Sequence, residues 1–100
     1  MTRSHLHLEA RPGRRDELLR ELDRLELLLV MSEQPGLLRV EALVAEDDLN
    51  QVLVDASWSS PEHYERWLSS DRREKMLASL GRLHAGEPEE RTYRLVDTLA

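Results

Sequence analysis

Hydrophobic residues occupy every second position in residues 4–10, where Leu6, Leu8 and Ala10 alternate with polar neighbours. This period of two is typical of a half-buried β-strand. The next segment changes to helical spacing, with leucines at positions 18, 22, 25 and 29. One helix is therefore predicted from about residues 14–16 to about residue 33, bounded by a Pro-Gly pair on each side.

Two more alternating segments follow this helix, at residues 38–44 and 52–58. The residues expected to share one face of the first segment are Leu38, Val40, Ala42 and Val44. The connection at residues 47–50 is short, so the two segments predict an antiparallel hairpin.

The hairpin leads into a predicted short helix. Ser60 is typical of an N-cap residue, and Pro61 suits the first helical position. Tyr64, Trp67 and Leu68 then lie on one stripe of that helix.

A further helix is predicted from a second start signal. Asp71, with Glu74 three residues later, resembles a capping box. The residues expected to face inward are Met76, Leu80 and Leu83. Gly86 and Pro88 end the helix, and residues 91–98 are expected to form the last strand.

The predicted order is β-α-β-β-α-β with the second helix broken in two. This order is the ferredoxin-like α+β fold, an antiparallel sheet with the helices on one face. The 100 residues are expected to form one domain. Such a small core benefits from association, so a homodimer is expected.

Composition excludes several classes of function. Fourteen basic and 20 acidic side chains give a net charge of −6, which argues against a nucleic-acid partner. There is no cysteine for a disulfide, a thiol nucleophile or a thiolate metal site. No apolar run approaches the roughly 20 residues of a membrane span, and the polar start lacks a signal-peptide core. A cytoplasmic protein with no membrane partner is predicted.

Aromatic residues are concentrated in residues 56–70, which contain both tryptophans and one of the two tyrosines of a chain without phenylalanine. Large rings bury the most area per residue, so this concentration indicates a pocket wall or an interface. Ordinary core packing explains the same rings equally simply.

Three passages resemble the antibiotic biosynthesis monooxygenase superfamily of dimeric α+β barrels. They are residues 11–13 (Arg-Pro-Gly), residues 33–41 (Glu-Gln-Pro-Gly-Leu-Leu-Arg-Val-Glu), and residues 57–64 (Ser-Trp-Ser-Ser-Pro-Glu-His-Tyr) leading to Trp67 and Ser70. The resemblance implies that the sheets of two subunits pack face to face. It also implies a ligand cavity between each sheet and its own helices.

The resemblance implies a cofactor-independent monooxygenase that acts on an aromatic or quinol-type small molecule, with no cofactor and no metal. Such an enzyme needs a dry aromatic pocket and a base. The base is expected to be His63 or His84. The residues expected to bind the substrate are Trp58, Tyr64, Trp67 and Met76.

Two alternatives remain open. One is a non-catalytic dimeric module that holds a small hydrophobic ligand in the same cavity. The other is a degenerate relative of the haem-degrading monooxygenases. Trp67 matches their tryptophan, but Leu77 stands at the position of the axial histidine and the strand-one asparagine position falls at or near Leu6.

For two further groups of polar residues the sequence allows only less specific predictions. His5 and His7 project to one face of the first strand, where Asp55 or Glu41 could complete a metal site. A polar subunit interface explains this pair equally well. The acidic residues around Pro88 are expected to form a solvated loop without chemistry; they are Glu87, Glu89 and Glu90.

Overall fold

The computed structural model describes residues 1–96 and contains four strands and four helices there. In chain order they are β1 (Thr2–Glu9), α1 (Arg15–Arg24), α2 (Leu27–Ser32), β2 (Leu37–Val44), β3 (Gln51–Trp58), α3 (Pro61–Leu68), α4 (Asp71–Ser79) and β4 (Glu89–Arg94). The last strand begins two residues before its predicted start and ends at Arg94, so residues 95 and 96 are not part of it. Residues 97 and 98 of the predicted strand lie outside the described part of the chain. No helix within residues 1–96 is long and apolar enough to cross a membrane.

The four strands form one antiparallel sheet in the order β2-β3-β1-β4. Each of the two helical connections, between β1 and β2 and between β3 and β4, is divided into two helices. The predicted α+β ferredoxin-like fold is therefore confirmed.

One face of the sheet, here called the inner face, packs against the helices. The inner-face residues of β1 and β3 at the core are Leu8, Val52, Val54, Ala56 and Trp58. The helical residues packed against them include Leu18, Leu22, Leu27, Val30, Met31, Tyr64, Trp67 and Met76. Burial of each large apolar side chain stabilises the fold by about 1.5–3 kcal/mol, so this layer holds the helices on the sheet.

The prediction of a single first helix is wrong, because the structure has two helices, α1 and α2, in this segment. Glu26 adopts a left-handed conformation with φ 54°, and the chain changes direction between α1 and α2. Leu27, Val30 and Met31 then point into the core. A continuous helix could not bury all of the apolar residues after Leu25 on a single face, and the break allows α2 to present its own face to the sheet.

The expected face of β2 is also corrected at its first residues. The pairing with β3 shifts between Leu37 and Arg39, so Leu38 is an extra residue in the strand. Leu37 pairs with Trp58 and packs on the core, whereas Leu38 is 60% exposed. A bulge moves one residue out of the alternation, which no count of alternating positions reveals.

The start of α4 differs from the predicted capping box, whereas the start of α3 agrees with the prediction. Ser60 is the N-cap of α3, and its hydroxyl accepts a hydrogen bond from the backbone N–H of His63 at 3.4 Å. The N-cap of α4 is Ser70, not Asp71, and its hydroxyl accepts from the backbone N–H of Arg73 at 3.2 Å. Asp71 lies in the first turn, where a negative charge stabilises the helix.

Candidate functional site

A mostly apolar cavity lies between the inner face of the sheet and the helices. Its lining residues are Ser4, Leu6, Leu22, Leu27, Met31, Val54, Tyr64, Trp67, Arg73, Met76, Leu77, Leu80 and Glu90. The cavity has a volume of about 30 Å³. An apolar cavity that binds benzene measures roughly 150 Å³, so this one is too small for an aromatic ring until its walls move.

Strand register explains how an acidic residue reaches this apolar space. Leu6 pairs with Val54 of β3 on one side and with Glu90 of β4 on the other. Residues paired across neighbouring strands project to the same face of a sheet, so Glu90 projects to the inner face. The expectation that Glu90 belongs to a solvated loop is therefore wrong.

Glu90 joins two other polar side chains at the cavity, and the three are called the polar triad: Tyr64, Arg73 and Glu90. The Tyr64 hydroxyl donates a hydrogen bond to Glu90 Oε2 at 2.7 Å. Arg73 Nη2 forms an ion pair with Glu90 Oε1. The side chains of Arg73 and Glu90 are only 19% and 22% exposed, so both charges of the pair are largely withdrawn from water.

Burial shifts the titration of two members of the triad. It raises the pKa of the Tyr64 hydroxyl and lowers the pKa of Arg73. Tyr64 is therefore a neutral phenol at neutral pH. Arg73 remains a cation because guanidinium begins from a very high pKa. The triad combines one hydroxyl, one carboxylate and one guanidinium, with no net charge.

Three of the four predicted substrate-binding residues, Tyr64, Trp67 and Met76, line the cavity. Trp58 is completely buried behind them, with its ring centroid 5.8 Å from that of Tyr64. Its indole Nε1 donates to the hydroxyl of Ser4 at 3.0 Å. Trp58 supports the cavity wall through Tyr64 and is not itself part of the lining, and a role of these residues in binding substrate stays a prediction.

The structure places His63 at the start of α3, away from the cavity lining. Its Nδ1 lies 2.7 Å from the hydroxyl of Ser60 and 3.0 Å from that of Ser59. The ring packs close to Gly36 at the entrance to β2. In this conformation His63 contacts both the turn before β2 and the loop before α3. Its predicted role as a base therefore requires a substrate outside the cavity or a movement of α3.

His84 lies in the turn after α4, where it is 5% exposed. Its Nε2 accepts a hydrogen bond from the backbone N–H of Glu9 at 3.0 Å, and its Nδ1 donates to the carbonyl of Gly86 at 2.9 Å. Both ring nitrogens are thus occupied by backbone groups, which fixes the tautomer with the proton on Nδ1. His84 connects the end of β1 to this turn and does not line the cavity.

The opposite, outer face of the sheet carries the pair His5 and His7. Asp55 is buried there at 6% exposure and accepts two hydrogen bonds from Arg3, at 2.9 and 2.6 Å. His5 Nε2 lies 3.2 Å from the same carboxylate. Within residues 1–96 no group of three or more side chains is arranged to hold a metal ion. The observed contacts of His5 are those of an ion-paired polar surface.

Asp55 gives the stability of the fold a defined dependence on pH. The hydrogen bonds from Arg3 are the main cause of a lowered pKa for this carboxyl, and they outweigh the opposing effect of burial. The folded state therefore holds Asp55 deprotonated to a lower pH than the unfolded chain does. This contribution is complete above the ordinary pKa of about 3.9 and is lost as the pH falls through the folded pKa.

We expect Asp55→Asn to lower the free energy of unfolding by about 1–2 kcal/mol at pH 7, because it leaves Arg3 without its anionic partner. The difference from the wild type should shrink as the pH falls below about 4. Urea unfolding between pH 7 and pH 2 measures it. Asp47→Asn, the same change in an exposed loop, is the control. A constant difference across this pH range would contradict the assignment.

The comparison with known protein families concerns the first four-fifths of the chain. The sequence profile of the antibiotic biosynthesis monooxygenase family matches residues 1–79. The chain belongs to this family. The matched range includes Tyr64, Trp67, Arg73 and Met76 of the cavity, whereas Glu90 lies beyond it.

Solved structures of this and similar folds superimpose over nearly the whole chain. An antibiotic biosynthesis monooxygenase family protein from Deinococcus radiodurans has a TM-score of 0.85 at 15% identity and covers 100% of this chain and 97% of its own. SnoaB, a cofactor-independent oxygenase from Streptomyces nogalater, has a TM-score of 0.78 at 19% identity, with coverage of 98% and 95%. An antibiotic biosynthesis monooxygenase family protein from Chloroflexus aurantiacus has a TM-score of 0.71 at 23% identity, and it covers 100% of this chain and 98% of its own. These similarities establish the fold. The search among curated proteins found no match.

The positions compared above with the haem-degrading branch of the antibiotic biosynthesis monooxygenase superfamily are both apolar and both line the cavity. Leu6 extends from β1 and Leu77 from α4. None of the four histidines, all of which lie within residues 1–96, is part of the lining. The cavity residues therefore do not supply an imidazole ligand to haem iron.

Proposed function

We propose that this protein is a cofactor-independent monooxygenase that acts on an aromatic or quinol-type small molecule in the cavity. The observation that carries the proposal is an apolar cavity with one polar side, formed by the triad of Tyr64, Arg73 and Glu90. Membership of the antibiotic biosynthesis monooxygenase family supports the reaction class.

The proposed reaction uses the substrate itself as the reductant. Loss of a proton from an electron-rich phenol or enol gives an anion whose ring carbon reduces oxygen. When a ring CH₂ becomes a carbonyl, one atom of O₂ enters the substrate and the other leaves as water with the two hydrogens. The substrate supplies all four electrons, so the protein has to exclude water, orient the ring and stabilise the anion.

The cavity residues can perform these three tasks. Leu6, Val54 and Leu77 keep water away, and the ring of Trp67 offers a surface for stacking. The positive charge of Arg73 lies where it can stabilise a substrate anion. The identity of the base stays open between His63 and His84 as predicted from the sequence, since the structure brings neither into the lining.

Enlargement of the cavity is part of this proposal. Met31 and Met76 lie on the helical walls, and methionine side chains adapt their shape at low cost. The left-handed residue Glu26 separates α2 from α1, so α2 can move without bending a continuous helix. Movement of these walls by the width of a few atoms is what a single aromatic ring requires.

A homodimer is proposed from the outer face of the sheet. Leu43 and Tyr93 are each 43% exposed there, next to the ion pair that the exposed Arg3 forms with the buried Asp55. Apolar side chains around an ion pair are typical of a surface that a second copy covers. The cysteine-free composition fits a reducing compartment, and we propose a cytoplasmic location.

Oxygen consumption tests the proposed activity. Purified protein, without added metal or flavin, should consume oxygen with at least one member of a panel of hydroquinones and polycyclic phenols. Trp67→Ala should reduce the rate at least tenfold because it removes the stacking surface, whereas Arg66→Ala, an exposed change on the same helix, should not.

Circular dichroism and analytical ultracentrifugation establish beforehand that each variant is folded and what its oligomeric state is. Absence of uptake across the panel, from a folded homodimer, would refute the monooxygenase and favour the non-catalytic module that binds a small hydrophobic ligand.

A further inference from the structure

The polar triad lies at a boundary between two spaces. An open cleft on the protein surface, between α3 and β4, is lined by Thr2, Pro61, Tyr64, Glu65, Leu68, Glu90, Thr92, Tyr93 and Arg94. Two of these residues, Tyr64 and Glu90, also line the inner cavity. Tyr64 and Glu90 therefore border both spaces, and a ligand that enters through the cleft meets these two residues of the triad.

The triad has unused capacity for hydrogen bonds. Among residues 1–96, each carboxylate oxygen of Glu90 has one protein partner, Tyr64 for Oε2 and Arg73 for Oε1. A carboxylate can accept about four hydrogen bonds, so Glu90 can accept one from a ligand as well. The other polar group of the lining, the hydroxyl of Ser4, already accepts from Trp58.

The charges of the triad select among ligands. Glu90 and Arg73 neutralise each other, so the cavity attracts neither cations nor anions by net charge. A carboxylate ligand would meet the negative charge of Glu90 at short range, and a plain hydrocarbon would satisfy neither residue. A hydroxyl group can donate to Glu90 and accept from Arg73 at the same time.

We propose that Glu90 and Arg73 bind the hydroxyl group of a neutral hydroxyarene, with the ring in the apolar cavity against Trp67. This inference rests on the proposed function and names the two residues that recognise the uncharged ring hydroxyl of its substrate. The Tyr64 hydroxyl donates to Oε2 of Glu90 in the absence of ligand, and it competes with the ligand hydroxyl for that oxygen. A site built for a hydroxyl discriminates strongly against analogues that lack one.

Binding of three probes of similar size tests the proposal: phenol, benzene and benzoate. Isothermal titration calorimetry, with quenching of tryptophan fluorescence as a second readout, measures their affinities at pH 7. We expect phenol to bind at least tenfold more tightly than either of the other two. Glu90→Gln, which keeps the size of the side chain, should reduce this preference to less than threefold.

Glu89→Gln is the matched control, because it makes the same change of charge on an exposed neighbour in β4 and should keep the preference. Tyr64→Phe is the second variant, since it retains the ring but removes the competing donor. It should bind phenol at least as tightly as the wild type. If the hydrogen bond from Tyr64 to Glu90 had only a structural role, its loss would weaken ligand binding instead.

Equal affinities for the three probes in the wild type would overturn the proposal. So would a folded Glu90→Gln variant that keeps the preference, or a Tyr64→Phe variant that loses it. A Glu90-dependent preference without any oxygen uptake would support this inference and refute the monooxygenase. Oxygen uptake with unchanged substrate preference in Glu90→Gln would refute this inference alone.

Discussion

Trp58→Ala is expected to lower the free energy of unfolding by about 3–5 kcal/mol. The side chain is completely buried, and its indole Nε1 donates to Ser4. Truncation would leave a large void behind Tyr64 and an unused hydroxyl in the core. Since small domains are stable by only about 5–15 kcal/mol, this single change removes a large part of the total.

Denaturant unfolding at a fixed protein concentration measures this loss, because the stability of an oligomer depends on concentration. Trp58→Phe is the matched control. It retains a ring in the core and should cost about 1–3 kcal/mol, less than the truncation to alanine. A loss below about 1 kcal/mol in Trp58→Ala would mean that the core does not depend on this residue. The assignment of Trp58 as a support of the cavity wall would then be wrong.

Gly36→Ala is expected to destabilise the protein by about 2–5 kcal/mol for two reasons. Gly36 has φ +80°, a left-handed conformation that costs an alanine about 1–2 kcal/mol. An added Cβ would also lie 2.2 Å from Cγ and 2.6 Å from Cβ of His63. Hydrogen bonds between the ring and the hydroxyls of Ser59 and Ser60 hold it in place, so the overlap adds about 1–3 kcal/mol.

Gly13→Ala separates these two causes. Gly13 has a similar φ of +75°, but nothing lies within 4 Å of an added Cβ. Thermal or denaturant unfolding should therefore show only the backbone cost of about 1–2 kcal/mol. The double variant Gly36→Ala with His63→Ala should recover part of the loss because the imidazole is gone. Equal losses in Gly36→Ala and Gly13→Ala would show that the contact with His63 is unimportant.

The elements that local patterns define were predictable from the sequence. The alternation through Leu6 and Leu8 predicted β1, and Ser60 with Pro61 predicted the start of α3. Family membership was also predicted, from passages that all lie within residues 1–79. In each case the signal, an alternation, a cap or a motif, is present in a short window of sequence.

The departures arose where no local signal exists. The break at Glu26 contains neither glycine nor proline, and it follows from how the leucines after it pack on the sheet. The bulge at Leu38 depends on the pairing of β2 with β3. Both features are decided by contacts with other elements, and a pattern within one element does not encode them.

The cavity shows the same division. Helical spacing in α3 and α4 identified Tyr64, Trp67 and Met76, which line it. Arg73 was missed because no local pattern singles it out at the start of α4, and Glu90 was missed because it was expected in an acidic loop.

The sequence alone therefore determined the fold class, the family and the aromatic side of the cavity, since these depend on periodicity and short motifs. Only the tertiary structure decided the polar side. The hydrogen bond from Tyr64 to Glu90 joins residues 26 positions apart, and it forms because strand register turns Glu90 inward. Register and helix orientation are set by packing of the whole core, which a linear pattern does not specify.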